Sequence, residues 1–200
     1  MANVSVGSEP ARSSPGRPRD PDRHEAVLEA TRALLRENGY SALSIDAIAR
    51  QADVSRRLIY RWWGHKARIV AEVLFNEPPA HQAPDTGALE GDVRELVNET
   101  VARYAKREMS LGLPGLQADI VANPQLLEEV EQRYTRRHLE RWNEVLVRAA
   151  GRGEIRQGQD HTAIAHAAVG AISVLAQERT FKRRKDITDF VTTFVVNAIQ

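Results

Sequence analysis

Residues 44–62, SIDAIARQADVSRRLIYRW, decide the fold of the N-terminal part of this chain. They form two short amphipathic segments around a turn at residues 52–54, and each segment begins with a serine, Ser44 or Ser55. Serine is a favoured helix N-cap. The second segment carries arginines and a tyrosine on its polar side, and Trp63 just beyond it is predicted to be core. This pattern predicts a helix-turn-helix, which places its second helix in the major groove of DNA.

The sequences on either side of this motif also predict helices. Upstream, apolar residues recur at helical spacing from about Asp22, and Gly39 is predicted to end that helix in a left-handed conformation. Downstream, a fourth helix is predicted from about Lys66 and ends before residues 78–79, which are both proline. We predict a three-helix helix-turn-helix DNA-binding domain that, with the fourth helix, occupies residues 21–77. Residues 1–20 are rich in Ser, Pro, Gly and Arg and are predicted to be a disordered basic arm.

Residues 78–200 are predicted to form a second helical domain. Residues 76–87, NEPPAHQAPDTG, have the composition of a linker. Beyond them apolar residues recur every three or four positions, with a short segment at about 114–122 and a helix start at Asn123 and Pro124. Two final apolar helices are predicted at about 161–178 and 187–199. No strand-like alternation competes, so the predicted fold class is all-α, with about nine helices.

Charge is unevenly distributed, although the formal net charge of the 200-residue chain is only +1. Residues 1–68 carry 12 Lys and Arg against 8 Asp and Glu, a balance of +4. Residues 69–200 carry 16 against 19, a balance of −3. A local basic region beside an acidic remainder favours binding to a polyanion without general stickiness.

Composition excludes several classes of site. The chain has no cysteine, so disulfides, thiolate metal ligands and cysteine nucleophiles are excluded. The sequence has neither the apolar core of a secretory signal nor a run of roughly 18 apolar residues that could span a bilayer. His161 and His166 do not share a helix face well enough to hold zinc. We expect a cytoplasmic protein without a membrane partner, a metal, a cofactor or catalytic residues.

The second helix of the motif carries the candidate DNA contacts. Arg56 and Arg57 lie in its first turn, where an arginine fork can pair with O6 and N7 of guanine, worth ~1–3 kcal/mol of base discrimination. Tyr60, Arg61 and the polar edge of Trp62 lie one turn later and suit phosphate contacts. A competing interpretation treats these charges as a solvated face, but the caps, turn and apolar spacing all agree with the motif. The predicted DNA-binding residues are Ser44, Ser55, Arg56, Arg57, Tyr60, Arg61, Trp62 and Lys66.

Residues 23–74 resemble the DNA-binding domain of the TetR family of transcriptional regulators. The sequence that carries the resemblance begins slightly upstream, with GRPRDPDRHEAVLEATRALLRENGYSALSIDAIARQADVS (residues 16–55), and closes with IYRWWGHKARIVAEVL (residues 59–74). The resemblance implies phosphate contacts for Ser44, Tyr60 and Lys66. It also implies base contacts for Arg56 and Arg57, and contacts of mixed type for Arg61 and Trp62.

Two positions depart from the usual pattern of the family. Arg57 stands where many members carry a small residue such as Gly or Ala, which predicts an unusual operator. Gly64 and His65 replace a frequent Pro-Ser pair before Lys66. Because histidine is a poor N-cap, this second departure predicts an altered phosphate contact at the start of the fourth helix.

The resemblance continues more weakly through PDTGALEGDVRELV and GEIRQGQDHTAIAHAAVGAI. It implies a helical domain that binds a small-molecule effector and forms a homodimer through the last two helices. From the residues alone, those helices could equally complete an internal core. Apolar and aromatic residues of the middle helices are candidates for the pocket wall, although at helical spacing they are more often plain core. They are Tyr104, Met109, Leu113, Leu116, Ile120, Tyr134, His138 and Trp142.

These features favour a sequence-specific transcriptional regulator that binds double-stranded DNA. We expect a repressor that a small-molecule effector releases from a palindromic operator. The alternative is a DNA-binding regulator without such an effector, controlled by its abundance or by a protein partner. A third hypothesis is an enzyme on a helical scaffold. Against it, the sequence lacks a Gly-rich phosphate loop, a Gly-x-Ser-x-Gly turn and paired His or Cys ligands.

Overall fold

The computed structural model describes residues 20–76, 82–178, 181 and 183–200. Apart from residue 20, the predicted arm lies outside the described residues. The described part of the chain is all-α, as predicted. Its elements are α1 (Pro21–Ala42), α2 (Ile45–Gln51), α3 (Arg56–Trp63), α4 (Lys66–Phe75), α5 (Leu89–Tyr104), α6 (Arg107–Ala122), α7 (Pro124–Val130), a π-helical turn (Glu131–Thr135), α8 (Arg136–Gly151), α9 (His161–Gln177) and α10 (Arg184–Ile199).

Nine continuous helices result within the described ranges, because α7, the π-helical turn and α8 follow one another without a break. Asn123 caps this long helix by accepting a hydrogen bond from the Leu126 amide at 3.2 Å, and Pro124 occupies its first turn. The helix start predicted at Asn123 and Pro124 is therefore confirmed. The π-helical turn, which admits one extra residue, was not predicted because no local signal in the sequence marks it.

The N-terminal helices form around the predicted stop signals. Asp20 caps α1 by accepting a hydrogen bond from the Arg23 amide at 3.4 Å. Gly39 takes a left-handed φ of 71°, so it interrupts α1 at the predicted place, and residues 40–42 add one further turn. This interruption turns the chain towards α2 and directs the buried Tyr40 into the interior.

The C-terminal helices pack around α5, which contacts α8, α9 and α10. Its buried residues Val93, Leu96, Val97 and Val101 recur at three and four positions, the spacing of one helix face. No helix within the described ranges combines the length and the apolar character that a transmembrane segment needs.

Helix α6 is longer than the sequence predicted, since it begins at Arg107 rather than near Pro114. Pro114 is exposed inside this helix, although a proline has no N–H to donate to the helix ladder. Packing against α1 and α4 buries Met109, Leu113 and Leu116 and thereby extends the helix across the proline. Tertiary burial outweighs the local signal at this position.

Candidate nucleic-acid interface

The two helices of the motif begin at the predicted serines. The Ser44 hydroxyl oxygen accepts a hydrogen bond from the Ala47 amide at 3.1 Å, and that of Ser55 accepts one from the Leu58 amide at 3.2 Å. Between the helices, Asp53 takes a left-handed φ of 50°. Both hydroxyl groups keep their own hydrogen as a donor. The caps predicted from sequence are confirmed.

Buried aromatic packing fixes the orientation of α3. Trp63 is buried, as predicted, and its indole Nε1 donates a hydrogen bond to Glu72 Oε2 at 2.7 Å. His24 of α1 stacks on Trp63 with ring centroids 5.1 Å apart, and its Nε2 lies 3.0 Å from Glu72 Oε1. The contacts of Glu72 and His24 with Trp63 were not predicted from the sequence. The available signal was the position of Glu72 within the apolar stripe of α4, where a glutamate needs a polar partner.

The opposite side of α3 faces outward. Arg57 and Arg61 are exposed, and neither forms a hydrogen bond or an ion pair within the described part of the chain. Tyr60 between them is 54% exposed. Trp62 is half-buried, with its ring centroid 5.6 Å from that of Trp63. This face therefore offers two guanidinium groups and a phenol hydroxyl to a partner.

Arg56 is also exposed, but it has an intramolecular partner. Its Nη1 donates to Asp46 Oδ1 at 3.0 Å and to Oδ2 at 3.3 Å, which ties the first turn of α3 to α2. Both side chains are more than half exposed, so this ion pair contributes little to stability. Arg56 can therefore exchange Asp46 for a base edge at small cost.

A cleft of about 280 Å³ opens at the start of α4 and brings the predicted phosphate-contacting residues together. It is lined by Ser44, Ile45, Asp46, Tyr60, His65 and Lys66. The Lys66 ammonium donates to the carbonyl oxygens of Tyr40 and Leu43, each at 3.2 Å. These carbonyl partners were not predicted, because they depend on how α1 meets α4.

The expectation that His65 is a poor N-cap was wrong. Its Nδ1 accepts a hydrogen bond from the Ala67 amide at 3.2 Å and so caps α4. An imidazole nitrogen can act as an acceptor much as an asparagine oxygen does, once the ring is held in the right orientation. The start of α4 therefore has a side-chain cap, as the starts of α2 and α3 do.

The residues predicted to line an effector pocket are mainly core. Tyr104, Met109, Leu113, Leu116 and Trp142 are buried, and the half-buried Ile120 and Tyr134 pack against the same core. His138 is half-buried. The ring centroid of Tyr134 lies 6.3 Å from that of Phe75 at the end of α4. A separate groove of about 640 Å³ runs along the π-helical turn, α8 and α9. Its mostly polar lining contains none of the predicted pocket residues.

Polar groups gather where α5 faces α8. His138 Nε2 lies 3.5 Å from the Thr100 hydroxyl, and Arg141 pairs with Glu99 at 2.6 Å and 3.2 Å. Burial, assisted by the positive charges of Arg103 and Arg141, lowers the pKa of His138 to about 3. Within the described residues, Trp142 Nε1 and Arg141 Nε are buried without a hydrogen-bond partner.

Comparison with known proteins connects both domains to one family. Residues 27–73 match the family model for bacterial regulatory proteins of the tetR family, and residues 83–194 match the tetracyclin repressor-like C-terminal domain. The chain is 30% identical over 151 residues to an uncharacterised HTH-type transcriptional regulator of Bacillus subtilis, YdeS, covering 74% of this chain and 75% of that protein. It is also 30% identical to a DNA-binding transcriptional repressor, TetR, of Mycobacteroides abscessus, covering 66% and 70%.

Structural comparison agrees with the sequence comparison. The fold resembles that of the transcriptional regulator FadR from Bacillus subtilis, solved in complex with stearoyl-CoA, with a TM-score of 0.63 and 16% identity. The similarity covers 88% of this chain and 100% of that chain. Because a helix-turn-helix domain of this family is followed in the sequence by the family's C-terminal domain, this chain belongs to the TetR family of DNA-binding transcriptional regulators.

Proposed function

We propose that this regulator is a homodimeric repressor that reads a palindromic operator with α3 and releases it when a small molecule binds the C-terminal domain. The observation that carries the DNA-reading part is the outward side of α3, where Arg57 and Arg61 are exposed and unengaged within the described residues. Arginines in the first turns of a recognition helix suit base edges and the flanking phosphates. Arg56 joins them after release from Asp46.

The cleft at the start of α4 supports a phosphate contact beside this base-reading surface. Its hydroxyl groups come from Ser44 and Tyr60, and its positive charge comes from Lys66. The amide groups at the start of α4 add a favourable dipole for an anion. Such contacts set the position of the recognition helix on the duplex without reading its sequence.

The primary test is selection of bound duplexes from a random library, followed by fluorescence anisotropy on a selected duplex and on its scrambled counterpart over a salt series. We expect an enriched palindrome, tight binding to it, and a steep loss of affinity with salt. Enrichment of no sequence, with equal weak binding to both duplexes, contradicts the sequence-specific part of the proposal.

An Arg57→Ala variant is expected to lose base preference at one position in each half-site, with roughly tenfold weaker binding to the selected duplex, because a bidentate guanine contact is removed. Binding to the scrambled duplex should change little. Repeating the library selection with the variant measures the lost preference. Arg137→Ala, which removes an exposed arginine of α8, is the matched control. Unchanged selection by Arg57→Ala means that this turn of α3 does not face bases.

A Lys66→Ala variant is expected to bind every duplex more weakly by a similar factor, because a phosphate contact carries no sequence information. The slope of log affinity against log salt should become shallower by about 0.9 per bound subunit. Anisotropy at several salt concentrations measures both quantities. A slope equal to that of the unsubstituted protein rules out an ionic contact at Lys66.

An apolar surface on the last two helices supports the homodimer. Val174 of α9 is 54% exposed, and Phe190 and Phe194 of α10 are each 51% exposed. Phe190 and Phe194 lie one helical turn apart, so they form one stripe along α10. Large apolar side chains that remain this exposed on neighbouring helices are typical of an interface. Two copies joined here present two recognition helices to a two-fold symmetric site.

The buried polar groups between α5 and α8 support an effector site. Trp142 Nε1 and Arg141 Nε are both donors, and buried donors are normally satisfied by an acceptor. A small molecule with carboxylate or carbonyl oxygens supplies such acceptors. The structural relative FadR was solved with stearoyl-CoA, so this architecture admits a ligand in at least one protein.

Mass spectrometry of the denatured protein, together with a thermal-shift screen of carboxylic acids, tests for such a molecule. A released or stabilising ligand that also lowers affinity for the selected duplex supports effector control. If the denatured protein releases no small molecule and no tested compound alters DNA binding, the results favour a regulator without an effector.

A further inference from the structure

Tyr40 lies where α1, α4 and α6 meet. It follows the left-handed Gly39, and its side chain is buried between the two domains. Neither the caps nor the recognition helix require a tyrosine at this place. Tyr40 nevertheless makes defined contacts with two helices. Its ring and hydroxyl group contact α6, and its ring and backbone carbonyl group contact Lys66 of α4.

On the α6 side, Tyr40 fits against a glycine and bonds to an aspartate one turn away. A Cβ atom added at Gly115 would lie 2.3 Å from Cδ1 of the tyrosine ring, so only glycine allows this approach. The Tyr40 hydroxyl donates to Asp119 Oδ2 at 2.5 Å. Burial and the Asp119 charge raise the pKa of Tyr40, which keeps the phenol protonated and able to donate.

On the α4 side, Tyr40 contacts Lys66 twice. Its carbonyl oxygen accepts a hydrogen bond from the ammonium at 3.2 Å, and the ammonium lies 4.3 Å from the centroid of its ring. Leu43 provides the second carbonyl partner. An ammonium has three N–H donors, so the two carbonyl groups leave one of them unused, and Lys66 lines the same cleft as Ser44 and Tyr60.

We propose that Tyr40 is a positioning residue for DNA binding, which holds the Lys66 ammonium in the phosphate cleft by linking it to Gly115 and Asp119 of α6. The inference rests on the phosphate contact proposed for Lys66. Tyr40 itself does not touch DNA. A long lysine side chain loses conformational freedom when it binds phosphate, and a ring and two carbonyl groups that hold it beforehand reduce that loss. The position of α6 thereby influences affinity for the DNA backbone.

Four variants, measured by anisotropy on the selected and the scrambled duplex over a salt series, test this role. Tyr40→Phe and Asp119→Ala each remove the hydrogen bond, and each is expected to weaken binding to both duplexes about fivefold. Asp119→Asn keeps an oxygen that can accept the bond and is expected to bind like the unsubstituted protein. The double variant Tyr40→Phe/Asp119→Ala is expected to be no weaker than either single variant.

A Lys66→Ala background separates positioning from a general loosening of the fold. Tyr40→Phe is expected to have no further effect on affinity once Lys66 is absent, because its effect acts through the ammonium. Arg36→Met is the matched control. It breaks another bridge between α1 and α6, in which the Arg36 side chain donates to Glu108 at 2.9 Å and 3.0 Å, and it does not touch Lys66. Its affinity for DNA is expected to stay within twofold of the unsubstituted value, because neither Arg36 nor Glu108 contacts the Lys66 ammonium.

Three results would overturn the inference. One is unchanged affinity of Tyr40→Phe when Lys66→Ala binds more weakly. Another is a fivefold effect of Tyr40→Phe that persists in the Lys66→Ala background, and the third is an equal loss in Arg36→Met. If Lys66→Ala changes neither the affinity nor the salt slope, the proposed phosphate contact of Lys66 is disproved, and the role proposed for Tyr40 is disproved as well. This result is distinguishable from the first three, because it is measured on Lys66→Ala alone.

Discussion

A Phe194→Glu variant is expected to be monomeric, and to bind a duplex with two half-sites at least about 100-fold more weakly than the unsubstituted protein. Phe194 lies on α10 beside Phe190, and both rings are 51% exposed in the single chain. In the proposed dimer a carboxylate at this position would be buried without a partner, which strongly opposes association. Each monomer would then bind one half-site without the help of the other.

Light scattering or sedimentation at micromolar concentration measures the first effect, and anisotropy on duplexes with one and with two half-sites measures the second. Affinity for the single half-site should be unchanged, because the helix-turn-helix lies at the other end of the chain. Val121→Glu is the matched control, since Val121 is an apolar residue of α6 with 83% exposure and α6 does not belong to the proposed interface. A Phe194→Glu protein that remains a dimer disproves this interface.

Acidification is expected to destabilise the protein through His138 by about 2 kcal/mol between pH 7 and pH 5. The pKa of His138 falls from 6.5 to about 3 in the folded chain, mainly because the side chain is buried and in addition because Arg103 and Arg141 are nearby. The unfolded chain therefore binds a proton as the pH falls below 6.5, whereas the folded chain stays neutral. The stability that His138 contributes is present above pH 6.5 and is lost as the pH falls towards 3.

Denaturant unfolding of the unsubstituted protein and of His138→Gln, at one fixed protein concentration, isolates this contribution. Glutamine does not titrate, so the free energy of unfolding of the variant should fall less steeply with acidification. The difference in slope is the quantity of interest, because the substitution also changes stability at neutral pH. Identical slopes from pH 7 to pH 5 would show that His138 is not buried in its neutral form.

Features set by neighbouring residues in the chain were predictable. The serine caps at Ser44 and Ser55 act through amides three residues away, and the left-handed stop at Gly39 depends on its missing side chain. Trp63 was predicted to be core from helical spacing alone, and it is buried. Each of these signals operates within one or two helical turns, so the sequence displays it directly.

Features that depend on contacts between distant segments were not predictable. Helix α6 continues through Pro114 because α1 and α4 bury its apolar face. The salt bridge from Arg68 to Glu129, at 2.6 Å and 2.9 Å, joins α4 to α7 across 61 residues of sequence, and neither residue stood out.

The all-α class, the helix-turn-helix and the family were predictable from the amino-acid sequence, because periodicity, caps and turn residues are local and recur at fixed spacing. Which charged side chains remain available to a partner depends instead on the three-dimensional packing of the helices. Arg57 and Arg61 remain exposed, Arg56 pairs with Asp46, and Lys66 is held by two carbonyl groups. A side chain's availability is set by whichever groups the fold brings within hydrogen-bond distance, and those groups lie far away along the chain.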